Sequence, residues 1–409
     1  MKYLSLLLAL FSLNSYSSDS KYLSLLSYNV GLAHGFVPYA KQRTPKIIEA
    51  IKNFPADIIC LQEVWKDKDN KKLIRELRKE YPYINFNKVR NIRPKAMGAS
   101  CKKRDLFGKG KFVSCILNTC KGKTGEEGDR CVRQDCRAAL DNLAKQKPTC
   151  AEALMASVGK NKVLAILSLI NPLKKAGKFS NKGRVGTLLL SKYPIVESGF
   201  YDLQKYSTTV RRGILYSTIK VKNKEVLVTC NHLTANLTGS APYIGNPPYI
   251  GPIKFENGWA NENYFQTIKL MELSQLIQDL HSSTRNQKYL PIIHMGDFNC
   301  ALPNKKLGLH EDFPQSCRRF LKDGYMDLAS FKLGECTYCP NNALIEKGKE
   351  EDPMILDHIY TKNISTKGAI TEIAFKQLVP IEEKKKRIMV NLSDHYGVLV
   401  KIPYENIGY

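Results

Sequence analysis

The chain has 409 residues, 43% of them apolar and 25% charged, a composition that excludes a disordered chain, a fibrous repeat and a polytopic membrane protein. Sixty-three Lys and Arg against 38 Asp and Glu leave a net charge of +25. That excess favours polyanions, whether nucleic acid, an anionic membrane surface or a phosphate-bearing substrate, and it says nothing about fold.

Met1-Lys2 is followed by an apolar run from Tyr3 to Leu13 and a small polar exit at Ser15-Tyr16-Ser17. This is the pattern of a cleaved secretory signal over residues 1–17. A bilayer-spanning helix needs about 20 apolar residues. The longest later candidate, Val163 to Leu173, is interrupted by Ser168 and Asn171. The expectation is an exported protein, secreted or periplasmic, monomeric and without a transmembrane segment.

Ser24 to Val30 alternates as a strand, and Pro45 to Asn53 has helical periodicity with Thr44 as N-cap and Pro45 at the first helical position. Ile58 to Val64 is a buried strand, and Lys71 to Glu80 a charged helix. This strand–helix–strand rhythm indicates layered α/β structure. Further strands are expected at Val185 to Ser191, Gly213 to Val221, Glu225 to Cys230, Leu290 to Met295, Leu356 to Tyr360 and Tyr396 to Ile402. Asn261 to Leu280 is the longest helix candidate, with Leu270, Leu273, Leu276, Ile277 and Leu280 on one stripe.

Lys88 to Arg184 interrupts the rhythm with 23 Lys and Arg against 7 Asp and Glu. It holds Cys101, Cys115, Cys120, Cys131, Cys136 and Cys150, a Gly/Lys-rich stretch from Gly108 to Gly128, and a helical second half from Arg137 to Leu173. It reads as a basic, Cys-rich, partly helical subdomain inserted into a body spanning 22–403 and stapled by disulfides, because so small a unit has little core of its own. Spacing does not choose among the pairings. Zinc is the competing reading, but the stretch has neither His nor C-x-x-C. Cys336 and Cys339 form a lone C-x-x-C, and Cys60 and Cys230, within apolar strands, are expected as buried free thiols.

The loop Gly239 to Trp259 repeats Pro-Tyr-Ile-Gly at Pro242–Gly245 and Pro248–Gly251 and ends near Phe255 and Trp259. Its aromatics are expected either exposed, where they could rest on a lipid interface, or packed on themselves.

Three short stretches carry more polarity than packing requires. Asn29 ends the first strand, Glu63 ends a buried apolar one, and Asp297-Phe298-Asn299 follows another, with Asp297 and Asn299 on one side and Phe298 on the other. A carboxylate at a buried strand end is costly unless ion-paired or metal-bound. His34, His281 and His310 read as surface or capping residues. His358 is expected to face away from Asp357, and His294 to pack between layers.

In order, LSYNV, DIICLQEVW, RVGTLLLSKYPI, RRGILYSTIKV, VTCNHLTAN, HMGDFN, YMDLA, LDHIY and LSDHYGVLV resemble the endonuclease/exonuclease/phosphatase superfamily, which includes deoxyribonuclease and neutral sphingomyelinases. The resemblance implies a four-layer α/β sandwich, two packed mixed β-sheets flanked by helices, with the site at one sheet edge. It implies a phosphoric diester hydrolase using Mg²⁺, with Mn²⁺ an alternative for an oxygen-rich site. By the same resemblance Glu63, Asn29 and Asp394 would hold the metal and His395 would be the general base. Asp357 would orient His395, and Asp297 and Asn299 would orient water and a phosphate oxygen. His232 would stabilise transition-state charge, and Asn29, Asn299 and His232 would bind the substrate phosphate.

Within that superfamily, NHLTAN resembles the T-H-L-x-A pattern of sphingomyelinase-type enzymes. Tyr264, Gln266, Glu272 and Leu273 resemble their R-x-x-Q-x-x-E-L helix, without its Arg. A phospholipid substrate, with peripheral contact to a membrane surface, is the first reading. The alternative is a secreted nuclease acting on nucleic acid, since the basic segment suits a DNA backbone; a non-catalytic binder would be expected to lose some of these residues.

Overall fold

In the computed structural model, residues 21–34, 36–89, 98–123, 125–157, 162–173, 177–245, 255, 257–285, 289–345 and 352–407 are described. The signal-like residues 1–17 and the second Pro-Tyr-Ile-Gly repeat lie outside them. Among the described residues the body begins β1 (Tyr22–Asn29), α1 (Ala40–Lys52), β2 (Ile58–Gln62), α2 (Asp67–Leu77) and β3 (Tyr83–Phe86). A helical segment follows: α3 (Lys103–Leu106), α4 (Phe112–Thr119), α5 (Gly125–Gln134), α6 (Arg137–Gln146), α7 (Pro148–Met155) and α8 (Lys162–Ile170). The body resumes with β4 (Leu188–Ser191), β5 (Ile195–Asp202), β6 (Gly213–Val221), β7 (Lys224–His232), α9 (Gly258–Arg285), β8 (Ile292–Asp297), α10 (Pro314–Lys322), β9 (Met326–Asp327), β10 (Asp357–Lys362), β11 (Ile370–Ala374), β12 (Leu378–Glu383), β13 (Lys386–Asn391) and β14 (Gly397–Pro403).

The strands form two mixed sheets, ordered β11-β14-β1-β2-β4-β3 and β5-β6-β7-β8-β10-β9, with β12-β13 as a separate hairpin. Period-two alternation sorts each inner strand between two cores. Leu23, Leu25, Ile58 and Cys60 meet Val226, Val228, Cys230, Ile293 and Met295 between the sheets. Their neighbours Leu26, Tyr28, Ile59 and Leu61 pack on Ile47, Ile51, Leu73 and Leu77 of α1 and α2. On the far side Leu227 and Ile292 pack with Leu270 of α9 and Phe320 of α10. The expected sandwich of two sheets between helical layers is the observed fold.

Several local expectations change. The first helix starts at Ala40, not Pro45. Tyr39 precedes it in a left-handed conformation, Pro45 lies inside, and Thr44 Oγ1 donates to Ala40 O at 2.7 Å instead of capping. The leucine stripe of α9 is only half a core face: Leu270 and Leu273 are buried, whereas Leu276 and Leu280 are more than half exposed. The strands β3, β5, β11, β12 and β13, absent from the sequence reading, are short or lie toward sheet edges.

The helical segment has its own core, in which Leu106, Phe112, Leu140, Leu143 and Leu169 surround Cys101 and Cys150. Its disulfides are Cys101–Cys150, Cys115–Cys136 and Cys120–Cys131; outside it Cys300–Cys317 and Cys336–Cys339 are also paired. Cys60 and Cys230, expected as free thiols, are disulfide-bonded across the two sheets. Both side chains face the interlayer from opposing strands with Cα atoms 5.3 Å apart, so the apolar strand context that suggested thiols suits a buried bridge equally well. Ile244 of the loop after β7 is buried in the segment's core, and Arg137 Nη1 donates to Thr238 O at 2.9 Å. Tyr243 stacks edge-on against buried Trp259, and Phe255 against Tyr264. The described part of this loop is therefore packed on its surroundings, not displayed. No described helix is long and apolar enough to cross a membrane.

Candidate active site

Strand ends bring the polar residues to one edge. In the ladder of the second sheet Asp297, at the end of β8, is flanked by His232 on parallel β7 and by Asp357 on antiparallel β10. Asn29 and Glu63 come from the ends of the parallel neighbours β1 and β2. Asp394 and His395 precede β14, antiparallel to β1. Gly31 has φ +53°, and a Cβ there would lie 2.4 Å from Asp394 Oδ1, so only glycine lets this turn lie against the carboxylate. Glu63 is itself left-handed at φ 63°, a conformation costing a non-glycine residue about 1–3 kcal/mol and typical of functional sites.

Asp357 Oδ2 accepts from His395 Nδ1 at 2.8 Å, leaving Nε2 turned toward Asp297 Oδ2 at 3.9 Å. The same Asp297 oxygen accepts from Asn29 Nδ2 at 2.9 Å and lies 3.5 Å from His232 Nε2. Asp297 Oδ1 accepts from Asn299 N at 3.0 Å, and Asn299 Nδ2 donates to Leu233 O at 3.0 Å. Phe298 points the other way, into rings of Phe320, Tyr360 and His358. All eight residues singled out in the sequence thus lie at this edge. Asn29 spends its amide locally, since Oδ1 also accepts from Gly31 N at 3.0 Å.

A family model described as Endonuclease/Exonuclease/phosphatase family matches residues 26–395. The chain belongs to this family. Among solved structures it is similar to SmcL, at 14% identity over 93% of this chain and 99% of that one, with a TM-score of 0.52. It is similar to sphingomyelinase C from Streptomyces griseocarneus at 14% identity, the same coverages and a TM-score of 0.50. Beta toxin from Staphylococcus aureus, a mutant with bound magnesium ions, gives 15% identity, the same coverages and 0.50. At these identities the likeness is one of fold. No curated sequence matches the chain.

The electrostatics suit a member of this family. Burial raises Glu63 to about 7, with the Asp394 charge adding to it. Burial raises Asp297 to about 6, with Asp357 adding and His395 opposing. Glu63 Oε2 is out of solvent and has no hydrogen-bond partner. An orphaned buried carboxylate beside a second acidic group is the donor set that a hard divalent cation takes, so the residues present fit the metal. Burial lowers His232 well below the usual histidine value, helped by the Arg212 and His395 charges. For His395 burial acts downward too, but Asp357, then Asp297 and Asp394, lift it well above that value. The Cys300, Cys317 and His358 cluster is no metal site, because its cysteines are bonded to each other.

The sequence reading missed three side chains here. Arg212 is 3% exposed, its charge is felt by Glu63 and His232, and its Nε and Nη1 have no hydrogen-bond partner. Its guanidinium lies 6.0 Å from the ring of Trp65, which in turn packs 5.8 Å from His232. Gly186 accommodates that ring, since a Cβ there would meet it at 2.7 Å. The third is Tyr338, held between Cys336 and Cys339 with its ring 5.1 Å from that of His395. On α9, Asn263 and Glu262 reach the site loops: Asn263 Nδ2 donates to Thr234 O and Phe298 O, and Glu262 accepts from Thr208 and Thr234, while Glu272 of the motif is exposed. Gln266 Oε1 accepts from Thr234 N at 2.9 Å, as its place in the motif suggests.

Of the remaining histidines, His358, His294 and His310 match their expected roles, whereas His281, expected at the surface, is buried. His358 faces away and His294 packs between layers against Tyr325. His34 pairs with Asp69, His281 is buried near Glu225, and His310 is exposed.

Proposed function

We propose that this protein is an exported, metal-dependent phosphodiesterase that hydrolyses the phosphodiester of a phospholipid, in the manner of a sphingomyelinase, at a membrane surface. The observation that carries the reaction type is the Asp357–His395 pair aimed at Asp297, beside the uncompensated carboxylate of Glu63.

In this reading Asp357 fixes the imidazole so that His395 Nε2, in the deprotonated form that grows as pH rises toward its lifted value, takes the proton of the attacking water. Asp297, held by Asn29 and by the backbone of Asn299, orients that water. As the phosphorus–water oxygen bond forms and the bond to the departing alkoxide breaks, Arg212 and His232 meet the added negative charge with N–H groups already in place. Mg²⁺ or Mn²⁺, held by Glu63 and Asp394, would supply Lewis-acid neutralisation of the phosphate.

The phospholipid assignment is supported by NHLTAN, by Gln266 reaching the loop after His232, and by the sphingomyelinase named among the structural neighbours. Nucleic acid is the second reading, favoured by the basic segment. The test is paired hydrolysis with Mg²⁺, on sphingomyelin vesicles and on supercoiled plasmid, each with chelator and with His395→Ala controls. Phosphocholine release abolished by both controls supports the lipid reading. Plasmid nicking instead, falling steeply with salt, replaces it with a nuclease.

A further inference from the structure

The sequence from Val163 to Leu173 carries no charged residue, in a chain otherwise dense in lysine. It forms α8 and the turn beyond it. One side packs inward: Ala165 and Leu169 are buried, with Ile166 and Ile170 against the helical segment's core. A surface helix of this kind should carry polar residues outward. Instead Leu164, Leu167 and Leu173 are 66%, 53% and 79% exposed. In sequence these leucines are bracketed by Lys160 and Lys162 on one side and Lys174, Lys175 and Lys178 on the other.

Aliphatic side chains turned to water in a stretch flanked in sequence by lysines match the requirements of an anionic bilayer, which takes the leucines into its interface and ammonium groups among its headgroups. Nucleic acid matches them poorly. Leucine adds nothing on a phosphate backbone, and of the segment's aromatics Phe112 and Phe179 are buried and Phe107 is partly buried against its core, which leaves little to stack on bases. A second copy would bring the same excess of positive charge.

We propose that α8 and its following turn, through Leu164, Leu167 and Leu173, form a docking surface for membranes containing anionic phospholipid. Its purpose rests on the phospholipid reading of the active site. The segment carrying it is fixed to that site's loops at three places. Arg137 bonds Thr238, Ser180 N donates to Thr209 O at 2.9 Å, and Gly186 O accepts from Val64 N at 2.8 Å beside Glu63.

The test separates docking from chemistry by using the full chain as His395→Ala, which turns over nothing. Its partition onto vesicles of phosphatidylcholine alone and with phosphatidylglycerol is measured by flotation, alongside duplex DNA at equal salt. The expected result is binding to the anionic vesicles, falling about tenfold or more in Leu164→Ser/Leu167→Ser/Leu173→Ser, with the melting temperature and hydrolysis of a soluble phosphodiester, read in the His395 background, unchanged. Should that variant misfold, Lys174→Gln/Lys175→Gln/Lys178→Gln is expected to weaken the same binding. Vesicle binding unaltered in a folded variant, or DNA bound in preference to vesicles, overturns the proposal. Docking without sphingomyelin hydrolysis by the His395 protein would leave this surface standing and remove only the substrate reading.

Discussion

Cys60 and Cys230 join the two sheets by a disulfide placed three residues before Glu63 and two before His232. The bond therefore fixes, at the site edge, the spacing between the strand that carries the orphaned carboxylate and the strand that carries the neutral imidazole. It closes a span of 170 residues, for which chain entropy allows roughly 5 kcal/mol, although disulfides more typically deliver about 2–4. Cys60→Ala/Cys230→Ala is expected to lose about 2–4 kcal/mol in denaturant unfolding. If Glu63 and His232 depend on that spacing, kcat/KM falls in the protein that remains folded. Unchanged kcat/KM would reduce the bond to a stabilising role.

Glu63 is the residue whose removal should separate metal from fold. With its acid held near 7 by burial, the carboxylate needed for a cation is increasingly protonated as pH falls below that value. Apparent Mg²⁺ affinity is thus expected to weaken by up to about tenfold per pH unit below 7, because the cation competes with a proton. At 100 times its dissociation constant a ligand of the native state adds about 2.7 kcal/mol. Thermal unfolding should therefore show a Mg²⁺-dependent rise in Tm that Glu63→Gln abolishes. A rise of equal size in Glu63→Gln would move the metal away from this carboxylate.

The site polar residues were legible because a carboxylate or amide at the end of an apolar strand has no packing reason to be there. The inner strands were legible for the related reason that strands covered on both faces read as continuous apolar runs. What stayed hidden depends on distant partners. Cys60 looks the same alone as opposite Cys230. Arg211-Arg212 reads as surface charge, and only the fold sends Arg211 to Asp202 and Arg212 into the site. The edge strands β11 to β13 lack an apolar run since one side meets water. Leu276 and Leu280 fit a helical stripe by spacing, yet they lie on the outward side of α9, whose covered side continues through Ser274 and Ile277 to His281.

Arg212 offers two uncommitted N–H groups in a buried position beside the reacting edge. Burial lowers its pKa to about 10, while Asp297 and Glu63 hold it up, so it stays charged at neutral pH. Removing one preorganised donor of transition-state charge costs about 10²–10³ in kcat. Arg212→Met is expected to fall in that range with KM little changed, and Arg212→Lys to recover part of the loss. Loss confined to Tm, with normal kcat, would make the arginine a structural ion for Glu63 and Asp297.

His358 and Asp327 form a wholly buried pair behind the site. Nδ1 faces Asp327 Oδ2 at 2.9 Å and Nε2 faces Cys300 O at 2.8 Å. Both ring nitrogens meet acceptors, so the ring is the doubly protonated imidazolium. Burial opposes that charge, but Asp327 outweighs it and His358 sits above its ordinary value, while His358 in turn holds Asp327 below the usual carboxylate range despite burial. A raised histidine contributes stability that is complete below its unfolded value of 6.5 and is lost as pH climbs through the folded one. The depressed aspartate contributes stability above its unfolded value of 3.8 and loses it only in acid. Breaking a buried pair costs about 3–5 kcal/mol, and Asp327→Asn is expected to show that loss in urea titrations near pH 6. The gap between wild type and variant should narrow as pH rises through the ring's raised folded value, where the wild-type ring gives up its proton and the pair with it. A gap independent of pH would mean that the ring is neutral in the folded protein and that Asp327 acts only through its bonds to Ala329 N and Ser330 N.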